Sequence, residues 1–313
     1  MRFVYEPIDY EVWIGGCADA AVDSRGRIFA LCGPHPLTIF DQNGKIAGGW
    51  PEGLIGGGHG IFIDENDFVY IIDSGWNVLS KFTTEGELLM RTGNKGVPSD
   101  SGAVKGNFKT IKRGAPPFNS PSKVTVSPRG EIFVTDGYGN ARVHRFSAEG
   151  KLLASWGEPG GGPGEFRIPH GIGVDEQDRV YVADRENNRV QVFDPEGKLL
   201  DMWEGINRPD GICVRDGIVY VVELGHITYV DNVLYEPYEN MPWSRVRIFD
   251  SGGHELCSFG GEETWKDGNF FAAHGANLDR EGNLYIAEAG WPTNESTPPE
   301  RPHHALQKFR RVD

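Results

Sequence analysis

Six stretches of the chain repeat one another: Ala20 to Ala30, Ile61 to Ile72, Val124 to Thr135, Ile172 to Ala183, Ile212 to Val222 and Ala276 to Ala287. Each alternates apolar with polar or small residues at a period near two and is rich in Val, Ile, Tyr and Phe. Each turns at a Gly or Asp pair, as at Arg25-Gly26, Asn66-Asp67, Arg129-Gly130, Gln177-Asp178, Asp216-Gly217 and Glu281-Gly282. That pattern predicts a strand, a tight turn and a second strand, with almost no helix. A third strand, a Gly turn and a fourth strand follow in most copies, most plainly over Asn188 to Leu200. Anchor residues fall at Val22, Ile63, Val126, Val174, Val214 and Leu278. Four strands in a unit of about forty residues is the arithmetic of a propeller blade. The expected fold is all-β, a six-bladed propeller with four antiparallel strands per blade.

Closure is legible too. The last unit stops after its third strand, Leu306 to Arg310, and the chain begins with an extended stretch, Arg2 to Tyr5, that can complete it. One propeller domain over residues 1–313 is expected, and a fold of that length buries roughly three quarters of its unfolded surface. The 43 Gly and 20 Pro supply many short turns, because Gly reaches positive φ without a Cβ clash. A net charge of −14 opposes binding to nucleic acid or anionic membranes. The N-terminus shows neither a basic head nor a long apolar run, so neither a signal peptide nor a membrane span is expected. Cys17, Cys32, Cys213 and Cys257 lack paired spacing, which points to free thiols and a cytoplasmic location. Oligomeric state is not readable.

Counting back four residues from each anchor gives the position that enters the inner strand at the centre: Ala18, His59, Ser122, His170, Asp210 and His274. In a closed ring, alternate copies lie about 120° apart around one axis, so three imidazoles converge. Neutral imidazoles in that arrangement can hold one metal ion; the alternative is three histidines plugging the channel with satisfied hydrogen bonds. Each His precedes Gly60, Gly171 or Gly275, which is read as room for a ligand beside the backbone. All length variation falls in the second-to-third and blade-to-blade connections, so the long loops stand on the face where the histidines enter. A lidded site for a small molecule is expected there. The acids ending the second strands, Asp73, Asp136, Asp184, Glu223 and Glu288, are read as structural. His35, His226, His303 and His304 lie in the variable loops.

The units resemble NHL repeats. The run Asp136-Gly137-Tyr138-Gly139-Asn140-Ala141-Arg142, then Ser155-Trp156-Gly157-Glu158, Pro169-His170-Gly171 and Ala183-Asp184-Arg185-Glu186-Asn187-Asn188-Arg189, closely resembles the peptidyl-α-hydroxyglycine α-amidating lyases. The resemblance implies a central zinc held by His59, His170 and His274, a catalytic Tyr138, and Arg185 beside a hydroxylated carbon. A second family Arg falls where this chain has Cys32, and the Asp that helps hold a structural calcium in the family falls at Gly275.

From the residues themselves, a divalent ion with three His ligands keeps a coordination position open, and other metals than zinc accept the same donors. Tyr138 is either a general acid or base or a surface turn aromatic. Arg185 pairs either with a substrate carboxylate or with an acid such as Glu186. Asp210 is a ligand-orienting group, a base or a structural hydrogen-bond acceptor. The leading expectation is a metal-dependent lyase cleaving a hydroxylated C–N or C–O bond. A metal-dependent hydrolase or lactonase and a non-catalytic interaction propeller are the alternatives.

Overall fold

A computed structural model describes residues 2–6, 16–33, 35–104, 107–225, 229–230, 233–234, 243–264, 266–289 and 305–312. Its strands form six four-stranded antiparallel sheets. From the innermost strand outward, the first blade is Ala20–Val22, Ile28–Ala30, Thr38–Phe40 and Ile46–Gly49, and the second is Gly58–Ile63, Val69–Asp73, Val78–Phe82 and Leu88–Gly93. The third is Pro121–Val126, Ile132–Asp136, Arg142–Phe146 and Leu152–Trp156, and the fourth is Pro169–Val174, Val180–Asp184, Arg189–Phe193 and Leu199–Glu204. The fifth is Pro209–Arg215, Ile218–Glu223, Arg245–Asp250 and Glu255–Gly260. The sixth takes Ala273–Leu278, Leu284–Glu288 and Leu306–Val312, and its outermost strand is the N-terminal Arg2–Glu6. Innermost strands touch in blade order and the sixth touches the first, so the ring is closed. The expected strap is therefore real, and one residue longer than the sequence indicates. No described helix is long and apolar enough to cross a membrane.

Local chemistry explains the repetition. At the first hairpin of four blades an Asp side chain accepts the backbone N–H groups two and four residues on, as Asp23 does from Arg25 and Arg27 at 3.0 and 2.8 Å. Asp64, Asp175 and Asp279 do the same. These bonds close the turn before any tertiary contact forms. In the fifth blade Asp216 and Gly217 both have positive φ, 53° and 71°, the two-residue turn whose twist suits a hairpin. The acids ending the second strands hold the connection that leads into their own blade. Asp73 accepts from Gly56 N at 2.6 Å, Asp184 from Arg167 N at 2.8 Å, Glu223 from Asn207 N at 2.8 Å and Glu288 from Phe271 N at 2.7 Å. Asp136 accepts likewise from Asn119 N.

Between blades, an aromatic wedge recurs. Trp50, Trp156 and Trp203 close the outermost strands of three blades, each meeting an aromatic ring on its own second strand and a Phe on the next blade's third strand. Trp203 lies 5.5 Å from both Tyr181 and Phe249, and Trp50 lies 4.9 Å from Phe82. Phe259 does the same against Phe309 of the last blade, at 4.9 Å. Each such ring contributes about 2–3 kcal/mol of burial, and the joint between first and last blades matters as much as any other. Deleting residues 1–6 should therefore expose the edge of Leu306–Val312 and lower Tm by about 5 °C or more. A truncated protein that melts at the full-length temperature would contradict closure by this strand.

Candidate metal centre

Five of the six innermost strands carry a register shift at their second residue. It falls between Gly58 and Gly60, Pro121 and Lys123, Pro169 and Ile172, Pro209 and Ile212, and Ala273 and Gly275. Such a bulge re-aims one side chain out of the pleat. The re-aimed residues are His59, Ser122, His170, Asp210 and His274, five of the six positions that the repeat places on the axis.

The alternation of His with another residue has a physical basis. Each His uses Nδ1 to donate to the backbone carbonyl of the corresponding residue in the next blade: His59 to Ser122 at 2.7 Å, His170 to Asp210 at 3.0 Å, and His274 to Ala18 at 2.7 Å. A carbonyl can only accept, so Nδ1 carries the hydrogen and Nε2 is left as a bare lone pair. The glycine after each His serves this bond. A Cβ at Gly60 would lie 2.8 Å from the Ser122 oxygen and one at Gly275 3.1 Å from that of Ala18, while one at Gly171 would overlap that of Asp210. The space that the sequence assigns to a ligand is thus filled by neighbouring backbone.

The three ligand-bearing atoms lie within 4.8 Å of one another, with ring centroids 4.7–5.1 Å apart. Tyr138 stands over them. Gly137 packs so closely on Pro169 that a side chain would overlap it, which sets the next residue above the fourth blade. The Tyr138 hydroxyl is 2.9 Å from His59 Nε2 and 2.8 Å from His170 Nε2. One hydroxyl proton cannot satisfy two acceptors, so this cluster holds more lone pairs than protons. Burial, with His274 and His170 nearby, holds the His59 imidazole well below its ordinary pKa. Burial likewise brings His274 down to about 4 despite Asp210. Converging, proton-poor nitrogens fit a divalent cation in donor type and number.

Arg185 opens a single helical turn, Arg185–Asn187, closed by Asn188 in the left-handed conformation. That turn buries its side chain completely. Its Nε donates to Glu186 at 3.0 Å, and its Nη1 lies 3.4 Å from Asp210 Oδ1 and 3.5 Å from the Tyr138 oxygen. Of the two partners open to Arg185 in the sequence, the structure supplies the acid, and a second one besides. Asp210 is buried, and its Oδ1 is 2.6 Å from His170 Nδ1. Burial pushes its pKa up, but His170, His274 and Arg185 together hold the carboxyl well below the usual range.

One residue deeper in the channel the ring reads Asp19, Gly60, Lys123, Gly171, Gly211 and Gly275. Asp19 and Lys123 form a buried ion pair across it, and Asp19 also accepts from Ile61 N at 2.8 Å and Asn277 Nδ2 at 3.0 Å. A side chain at Gly275 would overlap Asp19 Oδ1. The position implied for a calcium-binding Asp has no room for one, and an ammonium already neutralises the local carboxylate. Neither member of this pair was singled out by sequence. The visible signal is that two of the six positions after the ring carry opposite charges where the other four carry Gly.

Cys32 lies two residues past the second strand of the first blade, at the place where the other five blades have their latching acid. Cys17 is buried in the same cluster. Burial and the adjacent Cys32 thiol raise the Cys17 pKa well above its ordinary value. Ser155, His144 and Asp136 form a hydrogen-bonded chain, at 3.0 and 3.4 Å, but Asp136 and His144 are completely buried, which leaves it a structural brace. His35 is exposed, while His226, His303 and His304 lie outside the described residues.

The NHL repeat family model matches residues 118–146 and 166–193. NHL repeat-containing protein 3 of Mus musculus is 31% identical over 303 residues, 91% of this chain and 80% of that protein. A probable peptidyl-alpha-hydroxyglycine alpha-amidating lyase of Caenorhabditis elegans is 32% identical over 161 residues, half of this chain and 42% of that protein, so the chain spans less than half of that relative. A gluconolactonase of Xanthomonas campestris superposes with a TM-score of 0.58 at 15% identity, over 96% of this chain and 87% of that one, a likeness of fold. With six blades, recurrent hairpin chemistry and a match over most of both chains to the mouse protein, this chain belongs to the NHL-repeat family of β-propellers.

Proposed function

We propose that the protein is a metal-dependent lyase in which His59, His170 and His274 hold one divalent cation, zinc before other metals, and Tyr138 moves a proton at a hydroxylated carbon. The observation that supports this most is the convergence of three bare Nε2 atoms with a phenol oxygen 2.8–2.9 Å from two of them. Similarity to an amidating lyase favours the same chemistry. A three-nitrogen cation leaves a position open and supplies Lewis-acid polarisation of an oxygen. Tyr138 is placed to accept the substrate hydroxyl proton while its own proton passes to the departing nitrogen. The C–N electron pair leaves with that nitrogen, and the carbinol carbon becomes a carbonyl. Arg185, 3.5 Å from the Tyr138 oxygen, orients the phenol, and Asp210 orients His170 through Nδ1.

Hydrolysis of a lactone or ester is the second reading. It is favoured by the carboxylate of Asp210, whose Oδ2 lies 3.9 Å from His274 Nε2 and can orient a water by accepting its hydrogen bond. Turnover of a hydroxyglycine derivative and of a lactone by the same preparation separates the two.

Purified protein should carry about one equivalent of metal, and His170→Ala should carry none while keeping its fold. Gly171→Ala should lower stability and lose about 10- to 100-fold in metal affinity, because its Cβ would overlap the Asp210 carbonyl that orients His170. Metal-free wild-type protein after reconstitution would leave only the interaction propeller. Tyr138→Phe should retain metal and lose about 10²- to 10⁴-fold in kcat; unchanged turnover removes Tyr138 from the reaction.

In metal-free protein the lowered folded-state pKa of His274 has a stability consequence. Its contribution is intact above the ordinary 6.5 and is lost as pH falls toward about 4, because the unfolded chain takes up the proton first. Between those values wild type should lose more stability than His274→Gln in urea titrations, a comparison in which Asp184 and Glu288, pushed up by burial to about 6 and about 7, contribute equally to both proteins. Parallel pH profiles would show that the imidazole is not desolvated.

A further inference from the structure

Asp210 has a spare acceptor. Its Oδ1 is engaged by His170 Nδ1 at 2.6 Å and Arg185 Nη1 at 3.4 Å. Its Oδ2 is buried, accepts no hydrogen bond among the described residues, and lies 3.9 Å from His274 Nε2. A buried carboxylate oxygen left without a donor is costly, and this one faces the centre where substrate would sit. The cations of the same wall are already matched. Arg185 is ion-paired to Glu186 at 3.0 Å as well as to Asp210, and the buried Arg208 is 3.0 Å from the same Glu186 oxygen. Two guanidinium groups thus face two carboxylates, and Lys123 is matched by Asp19 below.

We propose that the site recognises an uncharged hydrogen-bond donor, a carboxamide N–H or a hydroxyl next to the carbinol carbon, through Asp210 Oδ2, and turns away a carboxylate at that place. Asp210 is then the specificity-determining residue, and Arg185 is a positioning residue that holds it rather than an anion receptor. The inference rests on the lyase reading of the same centre for its reaction, but not for its binding preference.

Hippuramide and hippurate, identical except for carboxamide against carboxylate, test it by calorimetry on zinc-loaded protein. Hippuramide should bind at least about tenfold tighter to wild type, since a carboxylate would be set against Asp210. Asp210→Asn should bring the two within about threefold of each other, because the amide side chain accepts and donates alike. Should that variant not fold, the wild-type ratio alone decides. Equal or tighter binding of hippurate, no binding of hippuramide at millimolar concentration, or a folded Asp210→Asn with an unchanged ratio and weakened metal retention would each overturn it. The last result would make Asp210 a fourth metal ligand. The lyase reading is judged separately, by conversion of N-benzoyl-α-hydroxyglycinamide into benzamide and glyoxylamide. Amide-selective binding without that conversion would remove the lyase and leave the recognition.

Discussion

A hydrogen bond from an imidazole across a blade seam is the interaction on which the centre depends. His59, His170 and His274 each reach the carbonyl of the next blade, and each bond does two things together. It fixes the tautomer, so the other nitrogen faces the axis without a proton, and it adds a tie at the axis to seams that carry further polar bonds, such as Asn277 Nδ2 to Asp19 at 3.0 Å and Arg208 N to Asn188 Oδ1 at 2.8 Å. The remaining seams are tied by different groups: Asp19 accepts from Ile61 N at 2.8 Å, Ser122 Oγ donates to the Pro169 carbonyl at 2.8 Å, and Ser244 Oγ accepts from Ala273 N at 2.9 Å. The ring is therefore positioned at every joint by a polar bond near the axis, while the aromatic wedges supply most of the burial farther out.

Charge is layered along the same axis. In the ring itself Asp210 is the only carboxylate among the described residues, held by Arg185 and His170. Immediately below, the ion pair of Asp19 with Lys123 fills a layer that is otherwise glycine. Isolated buried charges would be costly, but paired and hydrogen-bonded ones are tolerated and fix geometry. Glycine in that layer lets carbonyl oxygens approach the axis, and the two charged side chains occupy the volume that remains. Tyr138 and Arg185, the side chains proposed to meet substrate, come from the turns after the second strands of the third and fourth blades, both anchored by a latching acid at the preceding or nearby position.

Much of this was legible before any coordinates. Period-two alternation with Gly and Asp turns specifies hairpins locally, so the blades, their order and the N-terminal strap could be read from Arg2 to Tyr5 and Leu306 to Arg310. The His positions were legible because ring symmetry converts equal places in the repeat into nearness in space. What could not be read were contacts whose partners are set by the fold alone: the carbonyls of Ala18, Ser122 and Asp210, the reason for Gly60, Gly171 and Gly275, and the ion pair of Lys123 with Asp19, 104 residues away. Arg185 lay between the two cases. Its chemistry allowed either partner, and its contacts with Glu186 and Asp210 follow from the burial imposed by the Arg185–Asn187 turn.

X-ray absorption at the zinc edge of the reconstituted protein reads the central claim directly, because it reports donor type and distance at the ion. Three imidazole nitrogens at about 2.0–2.1 Å with one oxygen ligand are expected. An all-oxygen shell, or fewer than two imidazoles, would contradict a single cation shared by His59, His170 and His274.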